Sequence, residues 1–120
     1  MIESVLVVLS RPVDGRHEEL NDWYTNIHLR DALRFRGSIA VQRFFAPKAQ
    51  PGPLAEGWNW DYLALYEAFD TRLFTQAHRD AADTVWMEIS EAFDASDLND
   101  FYYSPLAWRR VIADEAHRGG

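Results

Sequence analysis

Near its start the chain carries a short apolar, β-branched run. Glu3 to Ser10 reads Glu-Ser-Val-Leu-Val-Val-Leu-Ser, the pattern of a short strand covered on both faces. Pro12 and Gly15 then mark a turn. From Arg16 to about Arg36 the spacing lengthens. Leu20, Trp23, Ile27 and Asp31 share one i, i+3/i+4 stripe, with Tyr24 and His28 on the next, which predicts a helix that Gly37 stops. Ser38 to Ala46 alternates as a second strand, with Ile39, Val41 and Phe45 opposite Ala40, Gln42 and Phe44. Pro47 to Asn59 holds three prolines and two glycines and reads as a long loop, of a length that often serves function in a compact domain. Trp60 to Ala68 reads as the third strand. Phe69 to Phe93 steps by four through Leu73, Ala77, Ala81, Val85, Ile89 and Phe93, predicting one long helix with Asp70 or Thr71 as its N-cap. Asp94 to Asp100 is polar and loop-like. Phe101 to Val111 is expected to be a fourth strand, at an edge or bulged because Pro105 cannot donate to a ladder. Residues 113–120 read as a polar tail, leaving one domain over residues 1–112.

The order β-α-β-β-α-β is the split βαβ arrangement of ferredoxin-like α+β folds: a four-stranded antiparallel sheet with two helices on one face. Two helices cover only that face. The other face is also apolar, so a homodimer through the open sheet face is expected.

Composition narrows the partners. Five Trp, five Tyr and seven Phe in 120 residues are more large rings than two thin layers can bury, so some should line a pocket or an interface. A net charge of −7 without a basic run argues against nucleic acid and against anionic membrane surfaces. No stretch nears the roughly 20 apolar residues of a membrane span. The chain has no cysteine, hence no disulfide, thiolate nucleophile or Cys-ligated metal. With no basic leader at Met1, a cytoplasmic location is expected.

Candidate chemistry centres on His28. Tyr24 lies one turn before it and Asp31 three residues after, so the three can occupy neighbouring stripes. The imidazole can move a proton, a carboxylate can fix its tautomer, and a phenol can hold an enolate or carbonyl oxygen. The alternative is a helix-end histidine bonded to backbone. His78 could face His28 across a cavity beneath both helices, or stand in solvent beside Arg79 and Asp80. Tyr66, among Trp60, Tyr62 and Ala64, either walls a hollow or packs the core. Trp86 is a core ring or a ligand-stacking one. Arg43 and Arg30 could hold a substrate carboxylate, and Arg43 could instead form an ion pair at the dimer interface. Of Tyr102 and Tyr103 one should face the helices, and Tyr103 is the binding candidate. His28, Asp31 and His78 have no recognised metal spacing. No phosphate loop or nucleophile elbow is present, so neither metal nor cofactor is expected.

Trp23, Tyr24, His28 and Asp31, followed by Gly37, Arg43 and Phe44, resemble the W-Y-x-x-x-H-x-P-D, P-G and R-F pattern of the EthD-like family of dimeric α+β barrels. Arg30 and Arg36 stand where that family often has prolines. The resemblance implies the ferredoxin-like fold and a superfamily of cofactor-free monooxygenases, cyclases, isomerases, esterases and haem enzymes, which leaves the reaction open. The expectation is a cofactor-independent acid–base enzyme. Its substrate would be a small aromatic, polyketide-like or ring-cleavage-derived unsaturated oxo acid, which it would isomerise, dehydrate, cyclise or hydrolyse. His28 would be the acid–base, Asp31 its orienter, and Tyr24 and Tyr66 oxygen ligands. The alternatives are oxygenation of an electron-rich phenol and a non-catalytic binding protein.

Overall fold

The computed structural model describes residues 2–113, so all but the first residue of the expected tail lies outside the described residues. Four strands, β1 (Ser4–Ser10), β2 (Ser38–Phe45), β3 (Tyr62–Ala68) and β4 (Asn99–Tyr103), form an antiparallel sheet in the order β2-β3-β1-β4. This is the expected ferredoxin-like α+β topology.

Register decides which side chains meet. Leu6 pairs with Tyr66 and Tyr102, Val8 with Ala64 and Asp100, and Arg43 with Ala64. Directly paired residues share a face, so these side chains all lie beneath the helices. Val5, Val7, Leu63, Leu65, Phe101 and Tyr103 point to the open face. Tyr103 is therefore not a pocket residue, and its neighbour Tyr102 takes the inner side, bonding Thr75 Oγ1 at 2.8 Å. Arg43 likewise is not on the open face.

The first helix runs as α1 (His17–Trp23), a π-type turn (Tyr24–His28) and α2 (Leu29–Ala32) without a break. The wider turn shifts the inward stripe. Leu20, Tyr24, Asp31 and Ala32 are buried while Ile27 is 45% exposed, so Ile27 leaves the stripe that regular periodicity assigned to it. Such turns concentrate at functional sites. Regular helix ends at Ala32, four residues short of Arg36, in a tightened turn closed by Phe35 N–H donating to the Ala32 carbonyl.

Gly37 follows with φ +89°, and a Cβ there would lie 2.6 Å from the Asp70 carbonyl and 2.9 Å from the Phe74 nitrogen. Any side chain forces the first helix's exit away from the Asp70–Phe74 backbone. Gly37→Ala is expected to cost about 1–3 kcal/mol, read as a lowered urea midpoint; an unchanged midpoint would refute this close approach.

The second helix is shorter than its periodicity predicts. α3 spans Thr71–Ala81, with the Asp70 carboxylate accepting from the Leu73 N–H at 3.0 Å. Thr84 ends it, its hydroxyl and N–H both donating to the Ala81 carbonyl, and Asp83, Thr84 and Val85 are weak helix formers. Val85, Ile89 and Phe93 thus belong to an irregular strap over residues 82–98. The strap is bonded to the body by Val13 N–H to the Ala92 carbonyl, Trp60 Nε1 to the Asp97 carbonyl, and Arg11 beside Asp94 and Asp97. β4 ends at Tyr103, well before Val111, since Pro105 interrupts the ladder; Leu106 and Trp108 beyond it are exposed.

Candidate active site

Two hollows meet at His28. An inner cavity of about 220 Å³ lies between the sheet and the helices, with Leu6, Val8, Tyr24, Tyr66, His78 and Asp100 among its walls. An outer cleft of about 570 Å³ runs between the first helix and the strap, past Arg30, Asp31 and Trp86. Trp23, His28 and Ile89 line both, so the imidazole forms part of the partition.

The π-type turn places His28 there. Its ring stacks on Trp23 at 5.0 Å and 21°, and stands edge-on to Tyr24 at 5.2 Å. Among the described residues neither ring nitrogen has a hydrogen-bond partner, which leaves both available to a ligand. Burial, reinforced by the nearby His78, pushes the imidazole down to about 4 against the opposing pull of Asp31. The ring is therefore neutral near neutral pH, with a lone pair to offer.

His78 reaches the same cavity from α3. Its Nδ1 donates to the Phe74 carbonyl at 3.0 Å, which leaves the lone pair of the neutral ring on Nε2. Burial lowers its pKa, partly offset by the Phe74 bond and by Asp100. The cavity thus joins two neutral imidazoles from different helices.

Tyr24 and Tyr66 bond hydroxyl to hydroxyl at 2.8 Å, both buried. One of the two donates within the pair, so one O–H remains for a third oxygen. Burial raises both phenols, Tyr66 well above its ordinary value, and they stay protonated. Arg43 lies 4.4 Å from the centre of the Tyr24 ring and 4.8 Å from that of Tyr62. Its Nη1 donates to Thr25 Oγ1, while Nε and Nη2 are buried without a hydrogen bond. The guanidinium lines neither hollow. It faces rings instead of a carboxylate, and its charge acts on the phenol pair from behind.

Asp31 forms no hydrogen bond to His28. It is buried, with Oδ1 unbonded and 3.7 Å from Arg30 Nε, so its influence on the imidazole is electrostatic. Arg30 is exposed on the outer cleft, as is Trp86, which stacks beneath Arg34 at 5.8 Å. Asp100, read from sequence as loop, reaches the inner cavity through its pairing with Val8; the β4 boundary hid it. The Pro/Gly loop lines a separate hollow around Trp58, and the strap, not that loop, covers His28. Among the described residues no three His, Asp or Glu side chains group as metal ligands.

No protein-family profile matches the chain, and no curated protein does. Solved structures do. An ethyl tert-butyl ether D (EthD) family protein from Bacillus halodurans C-125 superposes with a TM-score of 0.58 at 13% identity, over 88% of this chain and 100% of that one. The chain has the EthD-like ferredoxin fold. A second match, described as a "putative monooxygenase" from Shewanella loihica PV-4, has a TM-score of 0.59 at 15% identity, over 90% and 99% of the two chains. The EthD-like fold accounts for the sheet order and the helix carrying Trp23 to Asp31, and leaves the chemistry to the site. No helix among the described residues is long and apolar enough to cross a membrane.

Proposed function

We propose that the protein is a general acid–base enzyme that removes a proton next to a carbonyl or from a phenol of a small ring compound. The observation that carries this reading is the neutral His28 imidazole facing a mostly apolar cavity that also holds a phenol pair. His28 accepts the proton, and Trp23 beneath it favours the imidazolium that forms. The free O–H of the Tyr24–Tyr66 pair donates to the developing oxyanion, whose charge Arg43 supports through the rings. The protonated His28 can return the proton it took to a second carbon, which restores the neutral base. Isomerisation, dehydration and cyclisation all begin with this step.

The test is deuterium exchange in heavy water with phenylacetone, an uncharged ring beside an enolisable carbonyl. Exchange should exceed that of buffer alone, and His28→Gln should abolish the excess. No excess in the wild type would sink the reading. Oxygenation is a second reading, supported by the neighbour described as a putative monooxygenase: the same deprotonation of an electron-rich phenol would then be followed by oxygen uptake. The apolar open face, with Val7, Leu65 and Phe101, supports pairing of two copies through it.

A further inference from the structure

We infer that the inner cavity selects substrates that arrive uncharged and become anionic only during the reaction, and that it rejects carboxylates. This deepens the acid–base reading and rests on it. It also departs from the oxo acid expected from sequence.

Charge on the walls is the first argument. Among the described residues lining the cavity there is no lysine or arginine, and the only charged one is Asp100. Both histidines are held toward the neutral form and both phenols toward the protonated form. A carboxylate inside would lose its water, gain no cation and face Asp100. The approach is no kinder. The outer cleft carries Glu19, Asp31, Glu88 and Glu91 against Arg30.

Arg43 supplies the second argument. Among the described residues it is the cation that acts on the phenol pair, yet it is clamped between the Tyr24 and Tyr62 rings and lines neither hollow. A charge so placed cannot bind a carboxylate that arrives with the substrate. It can lower the energy of an oxyanion forming at the Tyr24 and Tyr66 hydroxyls. That is differential stabilisation, greater in the transition state than in the ground state.

Size is the third. An apolar cavity of about 150 Å³ accepts a benzene molecule, so about 220 Å³ suits one substituted ring.

Three probes of matched shape test this: p-cresol, p-toluate and p-methylbenzylammonium, titrated against Trp fluorescence at neutral pH. The cresol should bind at least about ten-fold more tightly than the toluate, and Asp100→Asn should narrow that gap by relieving the repulsion at the cavity wall. Toluate binding as tightly as cresol would overturn the selectivity, and so would a gap unmoved by Asp100→Asn. A strong preference for the ammonium over the cresol would overturn it as well, since the selected ligand would then arrive charged. None of these results touches deuterium exchange, which judges the acid–base reading separately. If no probe binds, the selectivity falls, and exchange into phenylacetone still decides the acid–base reading.

Discussion

His28→Gln is expected to slow deuterium exchange into a ring ketone by about a hundred- to ten-thousand-fold, the usual worth of a positioned acid–base group. The amide fills much of the imidazole's space on Trp23, but it has no lone pair basic enough to take a carbon-bound proton. Folding at neutral pH should change little, because the ring makes no hydrogen bond among the described residues that the substitution would break. Tyr66→Phe should be milder, with a loss of about a hundred-fold at most, since its removal frees the Tyr24 hydroxyl to donate in its place. Two results would defeat the assignment: His28→Gln exchanging at the wild-type rate, or Tyr66→Phe costing more than His28→Gln. The second would make the phenol pair, not the imidazole, the main source of rate.

Local patterning made the sheet readable before any coordinates. Four apolar or alternating runs bounded by Pro and Gly become four strands, and the order of helices between them fixes the topology. Tyr24, His28, Tyr66 and His78 could be nominated because their types carry chemistry and their elements face one another in that topology. What stayed hidden depends on features without a sequence period. A π-type turn has no signature in a 3.6-residue pattern, so regular periodicity points Ile27 inward. The row from Leu73 to Phe93 keeps its step of four past Ala81, although Thr84 closes the helix there, so the strap has the pattern of a helix. Register separates Tyr102 from Tyr103, and register is set by long-range pairing that neither residue encodes. The inward place of Asp100 depends on the same pairing. Arg43 could be put on either face from parity alone, and its clamp between Tyr24 and Tyr62 requires three elements to be in place.

The same imidazole should also govern how the fold responds to acid. In the unfolded chain His28 titrates near 6.5, and in the folded chain burial holds it to about 4. Between these values the unfolded state holds a proton that the folded state refuses, so stability falls as pH falls through this window. The stabilisation is fully present above about 6.5 and is lost by about 4; the full span corresponds to about 3 kcal/mol. His78, also lowered by burial, contributes with the same sign. Asp94 and Glu19, held below their ordinary range by Ser96 and Arg16, add theirs at the acid end, so wild type alone cannot isolate the imidazole. A pair of proteins can. Urea midpoints of wild type and His28→Gln should agree closely near neutrality and diverge on acidification, the variant becoming the more stable by about 2–3 kcal/mol near pH 4.5. Parallel curves would mean that the folded protein lets His28 charge as readily as the unfolded chain does. The ring would then be solvated, and the cavity would lose the neutral base on which its chemistry depends.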